Sequence, residues 1–152
     1  MAAYFTDKSQ AYSTRKGPGA PGQIVTDYTI VAITTGMIDN ANDEVGLFMV
    51  PKNAVILDVK VRVTDMDSST GLLFDLGDSG DEDRLQAAFS GQAAAEFVVL
   101  PVTGFLYKYP ADTRINLYVN TAATTAVAGT VYASITYAVD EAFSTTALTA
   151  TT

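Results

Sequence analysis

Apolar and polar side chains alternate along the chain, and the alternation is clearest between Val55 and Val63. The charged residues Asp58, Lys60 and Arg62 fall on one face of this segment. The apolar residues that share the other face are Val55, Leu57, Val59, Val61 and Val63. A period of two with β-branched residues is typical of a strand that buries one face. Since Pro51-Lys52-Asn53 is typical of a turn, we predict that this strand begins directly after it.

Weaker versions of the same pattern recur along the chain and are bounded by Gly, Pro or Asn. The segments are Ile24–Ile33 (with Tyr28, Ile30 and Ala32 on one face), Val45–Met49, Leu72–Leu76, Phe97–Leu100, Phe105–Tyr109, Ile115–Val119 and Val131–Val139. About eight short strands predict an all-β fold, a single jelly-roll-like β-sandwich. One segment differs. Acidic residues at 81–83 suit a helix N-terminus, so we predict a short helix over Arg84–Phe89.

The chain ends differ from this central region. Residues 1–22 close with the run Gly17-Pro18-Gly19-Ala20-Pro21-Gly22, which predicts an extended N-terminal arm and hinge. Residues 23–140 form the predicted sandwich body, and 141–152 form a Thr-rich tail. The arm carries aromatic and basic residues that predict contacts with a partner protein. The alternative is a disordered chain end that binds nothing. These residues are Tyr4, Phe5, Lys8, Tyr12, Arg15 and Lys16.

The composition of the 152-residue chain excludes several kinds of metal site and catalytic site. It has no Cys and no His, which excludes thiolate metal sites and every catalytic triad that uses His. Residues 1–22 hold three basic residues and one acidic residue, whereas 23–152 hold six basic and sixteen acidic ones. An acidic body predicts no nucleic-acid partner. The longest apolar stretch, near 97–102, is too short to span a bilayer, and no signal peptide is visible. We therefore expect a chain that is made and kept in the cytosol, unless it leaves as part of an assembly.

The acidic run from Asp78 to Asp83 is the sharpest local feature. Clustered carboxylates suit calcium, and Asp78, Asp81 and Asp83 are weak candidates for ligands. Their spacing does not fit an EF-hand loop, and a solvated loop is the alternative. A carboxylate-based hydrolase is disfavoured because the chain has no Trp to form a sugar platform. We therefore predict a protein that is not an enzyme and needs no metal or cofactor.

Four motifs together resemble tailed-phage virion structural proteins of the head decoration, or cement, type. They are Val50-Pro51-Lys52-Asn53-Ala54-Val55-Ile56-Leu57-Asp58-Val59, the run from Phe74-Asp75-Leu76-Gly77-Asp78 to Asp83-Arg84, Thr113-Arg114-Ile115-Asn116-Leu117, and Gly129-Thr130-Val131 to Tyr137. They lie within roughly residues 45–139. The resemblance implies a small β-sandwich component of the virion in which the acidic loop is structural.

This resemblance implies a protein on the outer surface of the phage head. The leading hypothesis is a homotrimer that clamps neighbouring subunits of the major capsid protein, with the arm reaching across the shell. A tail, neck or head-fibre component of the virion is one alternative. A soluble module that binds sugar or calcium is another.

Overall fold

The computed structural model describes residues 3–5, 24–69, 71–92, 95–99, 104 and 106–139. These residues form nine β-strands and a 3-10 turn at Thr35–Met37. The strands are β1 Ala3–Phe5, β2 Ile24–Ile33, β3 Glu44–Val50, β4 Ala54–Val63, β5 Leu73–Asp78, β6 Asp81–Ser90, β7 Ala95–Val99, β8 Thr113–Thr121 and β9 Gly129–Val139. Eight of them, β2 to β9, lie between residues 24 and 139.

The strands form two sheets that pack face to face. The first sheet has the order β1-β3-β8-β5-β6, and the second has the order β2-β9-β4-β7. Only β1 and β3 pair in parallel among the described strands; the other pairs are antiparallel. Consecutive strands from β2 to β5 alternate between the sheets, and β8 and β9 return to the centre of each. This is the strand order of a jelly roll, so the predicted all-β sandwich is confirmed.

The core lies between the sheets and is filled by the inward residues of each strand. Large members of it are Phe48, Ile56, Phe74, Leu76, Leu85, Leu117 and Tyr137, all at most 2% exposed. In β4 the prediction holds for Val59, Val61 and Val63, which are buried. The prediction is wrong for the residues that precede Val59 in the strand. A register shift between Ile56 and Asp58 exchanges the inward and outward faces there. Ile56 is therefore buried, while Val55 and Leu57 are only half-buried.

One buried carboxylate joins two loops at an end of the sandwich. Asp67 is 1% exposed, and its oxygens accept five backbone N–H hydrogen bonds of 2.9–3.1 Å. The donors are Ser69, Gly71, Leu72, Thr124 and Thr125. Burial alone would raise the pKa of Asp67, but these N–H groups together hold it well below its ordinary value. The ionised side chain thus fixes the loop after β4 to the loop before β9.

The predicted helix over Arg84–Phe89 is wrong, because these residues belong to strand β6. Leu85 and Phe89 are both buried, and their spacing of four residues fits one face of a helix as well as one face of a strand. Between them the strand bulges at Ala88, which has a φ of 47° and donates its N–H to the Asp75 carboxylate at 2.6 Å. The acidic residues Asp81, Glu82 and Asp83 are the first residues of β6 and cap no helix.

The predicted strand over Phe105–Tyr109 is also wrong within the described residues, which exclude Phe105. Leu106 has a φ of 61°, and Lys108 forms only an isolated bridge to Val55. Backbone bonds from the N–H groups of Leu106 and Tyr109 to Ile56 and Ala54 tie this segment to the start of β4. The segment is thus held beside β4 by backbone bonds but lies outside the nine strands, and the rings of Tyr107 and Tyr109 contact each other.

The described part of the chain contains no helix of sufficient length and hydrophobicity to cross a membrane. Apart from residues 3–5, the predicted arm lies outside the described residues, and so does the predicted tail. The boundaries of arm, body and tail therefore stay predictions.

Candidate docking surface

The outer face of the second sheet carries a row of exposed apolar side chains along β2. In β2 the odd-numbered residues point toward the core, and the even-numbered ones point outward. Three of the outward side chains, Ile24, Tyr28 and Ile30, are 61–67% exposed. Exposed aliphatic and aromatic side chains in one row are uncommon on a surface that meets only water. The sequence pattern placed Tyr28 and Ile30 on a shared face, but it gave no indication that this face is the outer one.

Pairing across the sheet extends this row onto β9 and β4. The register aligns Ile30 with Tyr132 and Tyr132 with Arg62. The Arg62 guanidinium carbon lies 5.6 Å from the centre of the Tyr132 ring, a cation–π distance. One step along the strands, the register aligns Tyr28, Ser134 and Lys60 in the same way.

These side chains line a groove of about 330 Å³. We call it the outer groove and define it by Tyr28, Ile30, Lys60, Arg62, Tyr132 and Ser134. Lys60 lies at its margin and forms an exposed ion pair with Asp58 at 3.5 Å. Tyr and Arg side chains of this kind are enriched at the energetically important positions of protein interfaces. The chemistry of the groove therefore suits contact with a protein surface.

The predicted arm meets the body at its first residues. In β1, Ala3, Tyr4 and Phe5 pair in parallel with residues 44–46 of β3, at the edge of the first sheet. Four other arm residues of the prediction lie outside the described residues; they are Lys8, Tyr12, Arg15 and Lys16. The structure thus places two of the six predicted contact residues on the body itself, and the partner contacts of the arm stay a prediction.

The acidic run forms the turn of the β5–β6 hairpin, where Asp78 pairs with Asp81. The Asp78 carboxylate is nearly buried; it accepts a 2.6 Å bond from Arg84 Nε and a 2.8 Å bond from the Gly80 N–H. Arg84 also lies 3.6 Å from Asp81. The pKa of Asp83 is raised, chiefly by its side-chain hydrogen bond with Asp81.

This geometry gives the acidic residues a structural role in the hairpin. Among the described residues, no group of three or more side chains is arranged to hold a metal ion. Both oxygens of Asp78 already have protein donors. Calcium binding by Asp78, Asp81 and Asp83 remains a prediction that these contacts do not favour.

The aromatic residues Tyr107 and Tyr109 lie beside the hairpin and contact it through Arg84. The Arg84 guanidinium lies 4.1 Å from the centre of the Tyr107 ring, and Tyr107 meets Tyr109 edge to face with centres 4.9 Å apart. Burial and the nearby Asp78 carboxylate raise the pKa of Tyr109 far above its ordinary range. Arg84 therefore ties the hairpin to the segment that precedes β8.

The fold and this surface define a class: a small jelly-roll protein with an exposed apolar groove and an N-terminal strand added at a sheet edge. No family model and no curated protein matches the chain. Solved phage capsids do contain similar chains. A chain of the cyanophage Pam1 capsid asymmetric unit is 26% identical with a TM-score of 0.67, and the match covers 88% of this chain and 97% of that one.

A second similar chain comes from the capsid of Ralstonia phage GP4. It is 20% identical with a TM-score of 0.72, and the match covers 90% of this chain and 97% of that one. At this identity the likeness shows the fold. Because each match spans almost all of both chains, the matched capsid chains are close to this one in length. Together the two likenesses support a phage capsid-related protein with a structural role in the virion.

Proposed function

We propose that the protein decorates the phage head, where it binds the outer surface of the shell and stabilises it by clamping neighbouring major capsid subunits. The observation that carries this proposal is the likeness to chains of two phage capsids over nearly their whole length. Those chains are of about the same size as this one, as expected of an accessory subunit. The likeness to capsid chains also favours the head over the tail, neck or fibre.

Two parts of the chain supply the proposed contacts. The outer groove offers Tyr28, Ile30 and Tyr132 as exposed apolar anchors, with Arg62 beside them. The arm adds the aromatic residue Tyr12 and the basic residues Lys8, Arg15 and Lys16, as the sequence predicts. Linked contacts reinforce one another, because the second contact forms at a high effective concentration once the first has formed. A homotrimer would present three such sets of contacts and suits a clamp that spans several shell subunits.

The proposal is tested by mixing the purified protein with undecorated capsids and imaging the particles by electron microscopy. We expect regular density over the whole shell from the full chain. Removal of residues 1–22 should abolish this density and leave a folded body, since β3 keeps β8 as its neighbour. Full decoration by the truncated chain would disprove the role of the arm.

A surface variant tests the groove independently of the arm. Tyr28→Ser with Ile30→Ser removes two exposed anchors and little of the core, so the fold should persist while the decorated fraction falls at least about tenfold. Thr26→Ser on the same outward row of β2 is the matched control and should bind normally. Density confined to a vertex or to the tail would refute decoration and favour another virion component. Absence of any density would refute a virion surface role.

A further inference from the structure

One edge of β3 receives a segment of the arm. On one side β3 pairs with β8, and on the other side β1 pairs with Glu44, Val45 and Gly46. A strand at a sheet edge accepts a further segment of extended chain through backbone pairing. In this protein the segment is β1, which the long connection at residues 6–23 joins to β2.

The connection from β1 to β2 is much longer than a path within one subunit requires. β1 runs parallel to β3, so its chain direction points toward the Val50 end of β3. Ile24, the first residue of β2, lies at this same end of the sandwich, because Ile24 and Val55 of β4 both align with Ala138 of β9. From Gly46 to the end of β3 is about 13 Å, and the facing sheet is about 10 Å away. A path of about 20 Å thus joins Phe5 to Ile24 in one copy.

Eighteen residues lie between Phe5 and Ile24. When extended they reach about 60 Å, roughly three times the path within one copy. A domain of this length is about 40 Å across, so the connection is long enough to place β1 on an adjacent copy. The Gly/Pro run at 17–22 gives the chain a point at which its direction can change.

We propose that β1 is exchanged between copies, so that Ala3–Phe5 of one subunit pairs with the β3 edge of the next. The inference deepens the proposed homotrimer and rests on it, because three exchanges made head to tail close into a ring. Pairing on a neighbour makes the same backbone bonds as pairing in one copy, and it links two subunits at little additional cost. In an assembled shell the neighbour is held close, which favours the exchange.

Disulfide trapping tests the exchange, because the chain has no Cys of its own. The register aligns Ala3 with Glu44, and adjacent strands bring their Cα atoms within the range that a disulfide requires. Ala3→Cys and Glu44→Cys are made in separate full-length chains with tags of different size, then co-expressed and oxidised. A disulfide between the two chains forms only if β1 crosses to another copy. We expect this mixed species to be the main disulfide-linked product on a non-reducing gel.

The double variant Ala3→Cys with Glu44→Cys in one chain resolves the remaining outcomes. Exchange predicts covalent oligomers that end at the trimer. A monomer with an internal disulfide would overturn the exchange, and so would the absence of any disulfide, since β1 would then not occupy β3. Either result leaves capsid decoration untouched, because decoration is measured separately on shells. Ala3→Cys paired with Gly36→Cys is the control and should give no disulfide, since Gly36 has no neighbour within 4 Å of an added side chain.

Discussion

Replacing Arg84 by methionine removes the cation that satisfies Asp78 and keeps most of the aliphatic stem. The side chains of Arg84 and Asp78 are 16% and 6% exposed, and their contact is 2.6 Å. Breaking one side of a buried ion pair costs about 3–5 kcal/mol. The stacking on Tyr107 adds about 1 kcal/mol, and the remaining N–H of Gly80 offsets part of the total. We therefore expect a loss of about 4 kcal/mol in the free energy of unfolding.

The assay is urea denaturation followed by circular dichroism, with the midpoint as the measured quantity. Lys60→Met is the matched control, because its ion pair with Asp58 is 3.5 Å long and exposed. An exposed pair contributes below about 1 kcal/mol. Asp78→Asn combined with Arg84→Met should cost about 2 kcal/mol less than the sum of the two single changes. A loss below about 1 kcal/mol for Arg84→Met would refute the view that the acidic hairpin is held by this pair.

Three further predictions follow from particular contacts. Asp67→Asn should lower the melting temperature at pH 7 by several degrees, and the melting temperature of the variant should fall less steeply in acid. The folded pKa of Asp67 is depressed, so the stability that this carboxylate contributes is present above about pH 4 and is lost as the pH falls below that value. An acid limb identical to that of the wild type would contradict this. Burial raises the pKa of Tyr118 to about 12, so absorbance at 295 nm should show a phenol that stays protonated past pH 10 in the folded protein. Stability should fall between about pH 10 and 12, because the unfolded chain ionises this phenol there while the folded protein keeps it protonated. An alkaline limb unchanged in Tyr118→Phe would count against this. Gly77→Ala should destabilise the protein by about 3 kcal/mol or more, since an added Cβ meets the backbone of residues 81–82. The control Gly36→Ala should change stability by less than about 1 kcal/mol, because an added Cβ there meets no atom within 4 Å. Equal denaturation midpoints for the two variants would contradict this.

The strands could be predicted from the sequence wherever one face alone is apolar. Val59, Val61 and Val63 alternate with Lys60 and Arg62, and the structure buries the first set and exposes the second. About eight short strands indicated a sandwich or a jelly roll. The strand order within each sheet could not be predicted, because it depends on pairings between residues far apart in the chain. The Pro51–Asn53 turn was also predictable, since Asn53 adopts a φ of 65° that Asn tolerates well.

The candidate surface could not be predicted, because both faces of β2 are rich in apolar residues. Val25, Val31 and Ile33 point inward, while Tyr28 and Ile30 point outward, and alternation alone does not rank the two faces. Which face meets the core is decided by the pairing of β2 with β9, a contact between residues more than a hundred positions apart. The available signal was that apolar residues occupy seven of the ten positions of β2 and fall on both of its faces.

The buried carboxylates bear on the competing interpretation of the protein as a carboxylate hydrolase. Asp67 accepts five backbone N–H groups, Asp75 fixes the bulge at Ala88 and bonds Asn120 at 2.7 Å, and Asp78 pairs with Arg84. A general acid must release a proton and a nucleophile must approach a substrate, and side chains engaged in this way are poorly suited to either role. The described residues instead expose an apolar groove on the second sheet. A surface with exposed Tyr and Arg side chains suits contact with another protein chain, and such contact is what the proposed role on the phage head requires.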